Sequence, residues 1–166
     1  MKIVIVTGGF DPVHSGHIEY FKAAAALGDR LWVGVNSDEW LSRKKGRPFM
    51  PIEERTAIIE ALSVVDCVFE FDDSDDTAVG AIRQVREQFP DAEIVFANGG
   101  DRQKGTTPEV EYAKELIEEG KIVGIAECLS ANYSTVTSYI WSIMLLRHPE
   151  VTASSLKHTC VTNRRH

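Results

Sequence analysis

An α/β fold, an open five-stranded parallel sheet with helices on both faces, is predicted for this chain by three observations. Short apolar runs alternate with helical stretches along most of the length, the pattern that builds parallel sheets. The first run, Ile3 to Val6, is continuously apolar, as a strand buried on both faces should be. Glycine pairs, Gly8-Gly9 and Gly99-Gly100, follow the first and fourth runs. In open parallel sheets ligands sit beyond the carboxyl ends of strands, near the point where strand order reverses.

Each element can be justified in turn. After the first strand comes Thr7-Gly8-Gly9-Phe10-Asp11-Pro12-Val13-His14-Ser15-Gly16-His17, then a helix over Ile18 to Leu27 closed by Gly28. A glycine pair lets backbone N–H groups approach a ligand with no Cβ in the way. Ser15 is the expected N-cap, which puts His17 in the helix's first turn, where unpaired N–H groups and the dipole favour an anion. His14 and His17 stand on either side of Ser15-Gly16 and can point at one phosphate. Zinc would need at least a third protein ligand, and no nearby Cys or His supplies one.

Arg30 to Asn36 reads as the second strand, so the first crossover is right-handed and its strands are parallel. Ser37 or Asp38 then suits a helix cap. The basic run Arg43-Lys44-Lys45-Gly46-Arg47-Pro48 reads as a loop, with Gly46 and Pro48 as breakers. Pro51 opens a further helix with an apolar stripe of Ile58, Ile59, Leu62 and Val65. A cation in its first turn opposes the helix dipole, so Arg55 calls for an anionic partner.

Cys67 to Phe71 is the third strand. Asp72-Asp73-Ser74-Asp75-Asp76 reads as a solvated loop and helix cap rather than a metal cluster. A helix to Phe89 ends at Pro90, Glu93 to Ala97 is the fourth strand, and Asn98-Gly99-Gly100-Asp101-Arg102 is the loop after it. Thr107-Pro108-Glu109 starts a helix ended by Gly120, and Ile122 to Ala126 is the fifth strand. Tyr133 to Ser138 is rich in hydroxyls, which at a helix start suit another phosphate site. Residues 1–147 are expected to form one domain, and 148–166 a flexible or partner-dependent tail.

Composition narrows the function classes. The 166 residues carry a formal charge of -7, whereas a nucleic-acid binder needs a basic face. Cys67, Cys128 and Cys160 are odd in number and lack Cys-x-x-Cys spacing, which suits reduced thiols in a cytosol. The apolar start is too short for a signal peptide, and no apolar run reaches membrane-spanning length. A cytoplasmic protein without nucleic-acid or membrane partners is expected. The absence of Gly-x4-Gly-Lys-Ser/Thr argues against a P-loop enzyme.

Gly8-Gly9-Phe10-Asp11-Pro12-Val13-His14-Ser15-Gly16-His17 resembles the signature of the nucleotidyltransferase superfamily of cytidylyltransferases and adenylyltransferases, and the resemblance runs from Met1 to about Arg147. Members transfer NMP from an NTP to a phosphorylated acceptor and release pyrophosphate, on a Rossmann-like sheet. The resemblance implies that His14 and His17 are catalytic at the α-phosphate. It implies that Lys44 or Lys45, carried on a mobile loop, reaches the triphosphate. Nucleotide contacts are implied for Thr7, Gly8, Gly9, Phe10, Gly16 and Arg55, for Asn98, Gly99 and Asp101 at ribose and base, and for Ser134 and Thr135. Tyr133-Ser134-Thr135 departs from the family's Ile-Ser-Ser/Thr-Thr run and lacks the Arg that often precedes it.

Acceptor contacts are implied for Asp11 and for Asp38 in an Asn-Ser-Asp turn, against the competing capping role. Mg²⁺ is expected on the substrate phosphates, with no protein side chain as ligand. The partners implied are ATP or CTP, with ATP slightly ahead, a phosphorylated small acceptor, and a second copy in a homodimer. The run Gly46-Arg47-Pro48 through Glu54-Arg55, with Gly99-Gly100-Asp101, is most similar to heptose-phosphate adenylyltransferases and glycerol-phosphate cytidylyltransferases. A sugar- or polyol-phosphate acceptor is therefore expected. Phe10-Asp11-Pro12 is similar also to nicotinate-mononucleotide and phosphopantetheine adenylyltransferases. A catalytically silent nucleotide-binding regulator is the alternative of another class, and the retained His14/His17 pair speaks against it.

Overall fold

The computed structural model describes residues 1–99, 108–109, 111–112, 115 and 123–129. The chain divides into a unit Met1–Ala131 and a unit Asn132–His166, and all of the described residues belong to the first. The elements are β1 (Lys2–Gly8), α1 (Ser15–Ala25), β2 (Arg30–Val35), α2 (Asp38–Lys45), α3 (Ile52–Glu60), β3 (Cys67–Glu70), α4 (Val79–Gln88), β4 (Glu93–Gly99) and β5 (Val123–Leu129). The five strands form one sheet in the order β3-β2-β1-β4-β5, and every neighbouring pair is parallel. The predicted fold class is the one observed.

Alternation along β1 divides the core. Ile3 and Ile5 pack with Ala81, Ile82 and Val85 of α4 and with Ile94 and Phe96 of β4. Val4 and Val6 pack on the other face with Tyr20, Phe21 and Ala24 of α1, Ile59 of α3, and Leu31, Val33 and Val35 of β2. Side chains of a strand alternate between faces, so a continuous apolar run is what two covered faces require. The helices divide for a topological reason. Right-handed crossovers place α1 and α3 on one face while the strands advance β1 to β3, and the reversal to β4 carries α4 to the other. That reversal lies between β1 and β4, the two strands that end in glycine pairs.

Several local expectations are corrected. The N-cap of α1 is His14, in extended conformation, because its carbonyl accepts from His17 N at 2.9 Å and Ile18 N at 3.2 Å; Ser15 is the first helical residue. The basic run is not a loop at Arg43, Lys44 and Lys45. These form the last turn of α2, which ends at Gly46 with φ 87°, a backbone angle that glycine tolerates and side-chain-bearing residues avoid. Cations in a last turn are favoured by the helix dipole.

In α3, Ile58 is 39% exposed while Ile59 is fully buried. Adjacent residues lie about 100° apart around a helix, and the inward stripe is Ile52, Arg55 and Ile59; Leu62 and Val65 lie beyond the end of α3. The acidic run supplies no N-cap to α4. The cap residue is Ala78, whose amide donates to buried Glu109 Oε1 at 2.8 Å. Among the described residues no helix is long and apolar enough to cross a membrane.

Candidate active site

The site begins where β1 ends. The Gly8 carbonyl accepts from Asn36 N on β2 at 3.0 Å. A Cβ on Gly8 would stand 2.9 Å from Phe10 Cζ, and one on Gly9 would stand 2.7 Å from Leu41 Cδ2. Both are below any ordinary carbon–carbon contact, so a side chain at either position would displace the Phe10 ring or the Leu41 side chain. Phe10 has φ 47°, a region that a bulky L residue rarely enters. Its ring is buried and meets Phe21 and His17 edge-on, at centroid distances of 5.0 and 5.2 Å.

His14 and His17 are stacked, with centroids 3.8 Å apart and planes at 23°. His17 Nδ1 accepts from His14 N at 3.3 Å. An imidazole nitrogen that accepts carries no proton, so the neutral ring holds its proton on Nε2. Any phosphate bonded by His17 is bonded through Nε2–H. Burial pushes the His17 pKa down to about 3, with help from His14 and the Lys45 ammonium. His14 is lowered as well, by desolvation and then by Lys45. Both rings are therefore neutral at pH 7, which lets them stack without repulsion.

A stability consequence follows with a definite sign. Folding depresses these imidazole pKa values, so the unfolded chain binds more protons below pH 6.5 and stability falls with pH there. The contribution is complete above pH 6.5 and declines toward about pH 3. Asp66, Asp72 and Asp76 also have depressed pKa values but act only below about pH 4. Thermal unfolding between pH 7 and 4.5 should thus show a falling Tm, and His17→Gln should flatten it. An unchanged slope in that variant would remove His17 as its source.

Lys45 donates to the Asp11 carbonyl at 3.5 Å. Desolvation draws its pKa down, Asp11 opposes this, and the Arg55 guanidinium adds to it. The side chain is nevertheless exposed. Lys44 goes elsewhere, to Asp76 Oδ2 at 3.4 Å and over the Trp40 ring. Of the two lysines, Lys45 is the one whose charge acts on His14 and His17.

Three acidic or basic residues expected at substrate are engaged within the protein. Both carboxylate oxygens of Asp11 accept backbone amides, Phe49 N at 2.6 Å and Met50 N at 2.8 Å, which ties the glycine loop to the segment before α3. Arg55 is fully buried. It donates to the carbonyls of Gly9 at 2.7 Å, Asn36 at 2.8 Å and Met50 at 3.1 Å, and pairs with Asp38. The anion that the α3 dipole argument asked for is Asp38 of the same chain, and here Arg55 reaches backbone rather than lying open to a triphosphate.

Sequence reasoning missed Asp73. It is buried and accepts from Asn36 Nδ2 at 2.9 Å, Ser37 N at 2.8 Å and Ser37 Oγ at 2.7 Å. Ser37 Oγ in turn caps α2 at Trp40 N. Asp73 thereby fixes the start of the helix that carries Lys45. Four of the five residues of that acidic run are exposed, so nothing in its composition marked the one that turns inward.

Thr7 and Gly8 close β1, and Gly16 is buried in the first turn of α1. Asn98 and Gly99 belong to β4 rather than to a loop after it, with a register shift against β5 between Ala97 and Gly99. Asp101, Ser134, Thr135 and the 148–166 segment lie outside the described residues. Among the described residues no group of three His, Cys, Asp or Glu could hold a metal ion.

With this geometry in view, comparison with known proteins gives a consistent result. Residues 5–156 match the family model described as cytidylyltransferase-like. The chain is 38% identical over 128 residues to the bifunctional protein HldE of Pseudomonas aeruginosa, covering 76% of this chain and 25% of that protein. It is 40% identical over 121 residues to HldE of Vibrio vulnificus, covering 72% and 23%. The chain thus spans about a quarter of the length of the curated relatives it matches. Among solved structures, the lipopolysaccharide core biosynthesis protein of Thermoplasma volcanium aligns with TM-score 0.61 and 31% identity over 80% of this chain and 99% of that one. A putative nicotinate-nucleotide adenylyltransferase of Vibrio parahaemolyticus shares the fold, with TM-score 0.51 and 18% identity over 88% and 82%.

Proposed function

The chain belongs to the cytidylyltransferase-like family, and on that premise we propose that it is a nucleotidyltransferase, which transfers the NMP group of ATP or CTP to a phosphorylated sugar or polyol with release of pyrophosphate. The observation that carries this reading is the stacked His14/His17 pair with Lys45 beside it, at the N-terminus of α1 and the end of β1. ATP leads CTP, and a saccharide-type acceptor leads, on the heptose-phosphate resemblance and the 31% identity to a lipopolysaccharide core biosynthesis protein.

An acceptor phosphate is ionised at neutral pH, so no strong general base is needed. Its oxygen attacks the α-phosphorus, a new P–O bond forms, the bond to the β-phosphate oxygen breaks, and pyrophosphate departs with that electron pair. The chain's task is to hold two anions together and to stabilise charge on the α-phosphate and the leaving group. In this reading the His17 Nε2–H and His14 bond the α-phosphate. The Ser15 and Gly16 amides, which precede any intrahelical partner, add donors at the positive end of α1. Lys45 neutralises the leaving pyrophosphate. Mg²⁺ enters with the nucleotide, on phosphate oxygens. A homodimer and a cytoplasmic location complete the proposal.

Pyrophosphate release from ATP, CTP, GTP and UTP should be screened against heptose phosphate, glycerol phosphate, nicotinate mononucleotide and phosphopantetheine. Turnover with a sugar or polyol phosphate is the expected result. Tight nucleotide binding without release from any pair would favour a silent regulator. Within the active pair, Lys45→Ala should lower kcat/KM about 10- to 100-fold, the scale of a lost charged hydrogen bond. Lys44→Ala should change it no more than about twofold, since an exposed ion pair contributes little. The reverse order would show that α2 turns its other lysine to the substrate.

A further inference from the structure

Arg55 occupies a position on the apolar stripe of α3, between Ile52 and Ile59, and is fully buried there. Its guanidinium spans the Gly9 carbonyl, the Asn36 carbonyl and Asp38, while Nε holds the Met50 carbonyl. One side chain thus ties the glycine loop to the end of β2 and the starts of α2 and α3. Such a grip has a directional consequence. In a trans peptide the C=O and the following N–H point to opposite sides. With the Gly8 carbonyl bonded to Asn36 N on the β2 side, the Gly9 N–H turns toward β4. With the Gly9 carbonyl drawn to Arg55, the Phe10 N–H turns away from α3. Two successive amides at the end of β1 are thereby oriented through their carbonyls, and Phe10 is held at φ 47°, a conformation that persists in a bulky residue only where its surroundings impose it.

We infer that Arg55 is a positioning residue, which aims the Phe10 amide at the α-phosphate through the Gly9 carbonyl and makes no contact of its own with the nucleotide. This rests on the nucleotidyltransfer reading above. It assigns to Arg55 a backbone-directing role in place of the nucleotide contact that the family resemblance implies. A preorganised amide donor acts where charge develops in the transition state, so the assignment concerns turnover more than binding.

Two measurements test it. In the wild-type protein, NMR titration with a non-hydrolysable ATP or CTP analogue and Mg²⁺ should move the Phe10 amide resonance and leave the Arg55 Nε–H resonance in place. Movement of Arg55 Nε–H with a stationary Phe10 amide would overturn the assignment while leaving the nucleotidyltransferase reading intact. If neither analogue binds and no pyrophosphate is released in the screen, that reading fails and takes this one with it. Arg55→Lys keeps the charge beside Asp38 but cannot reach three carbonyls from one planar group. It should lower kcat about 10- to 100-fold with KM for the nucleotide within about threefold, and the Phe10 couplings should lose their left-handed signature. A rise in KM with kcat retained would place Arg55 on the nucleotide. A lower Tm with both constants retained would make it a structural residue only. Should the lysine variant fail to fold, the wild-type titration decides alone.

Discussion

Replacing His17 by alanine is expected to lower kcat by about two to three orders of magnitude, the scale seen when a preorganised donor to developing charge is removed. The fold should survive. Tyr20, Phe21 and Ala24 anchor α1 in the core, and Tyr20 Oη donates to the Ala97 carbonyl at 2.7 Å. What the mutation removes locally is one acceptor for the His14 amide, of which the net worth is about 1 kcal/mol, and the edge contact with Phe10. KM should change far less than kcat, because the contact belongs to the transition state. Since the ring is neutral, with a pKa near 3, the ratio of wild-type to variant kcat should stay flat from pH 6 to 8. Steady-state kinetics alongside circular dichroism measures both. A folded variant with near wild-type kcat would remove His17 from the chemistry. A ratio that climbs toward low pH would mean that bound nucleotide had lifted the ring into its cationic form.

Asp38→Ala should destabilise the protein by about 3 kcal/mol, the lower end of the range for breaking a buried pair. The lower end applies because the Asp38 side chain keeps 32% of its surface exposed, whereas that of Arg55 keeps none. The loss comes from the cation left behind, which cannot reach water from its place between α3 and the sheet. Asp38 Oδ2 also accepts from Ile52 N at 3.3 Å, so the first turn of α3 loses a partner as well. Asp38→Asn, which keeps the hydrogen-bond geometry, should lose less. Urea unfolding with an unchanged m-value reads the difference. A loss below about 1 kcal/mol, together with a raised KM for the acceptor, would return Asp38 to the acceptor site.

How far the site could be read from the residues depended on range. The glycine loop, His14 and His17 lie in one continuous stretch, so their proximity follows from strand, turn and helix start alone. The dipole argument at α3 correctly demanded an anion for Arg55 but could not say that it stands 17 positions back in the chain. Asp11 is similar: its carboxylate meets amides 38 and 39 residues later, a contact with no local trace. For Arg55 the local signal is its spacing from Ile52 and Ile59, which places it on the inward face of an otherwise apolar stripe. In the basic run Gly46 and Pro48 suit a loop, but three cations before a glycine equally fit a helix's last turn and its cap.

The parallel sheet and the grouping of the glycine loop with His14 and His17 were determined by the sequence by itself, because they rest on apolar patterning, crossover handedness and residues close together in the chain. Which lysine faces the histidines, which carboxylate turns inward from the acidic run, and whether Asp11, Asp38 and Arg55 reach outward or hold one another were decided only by the tertiary structure. Each depends on a partner from a distant segment and on the cost of burying a charge without one.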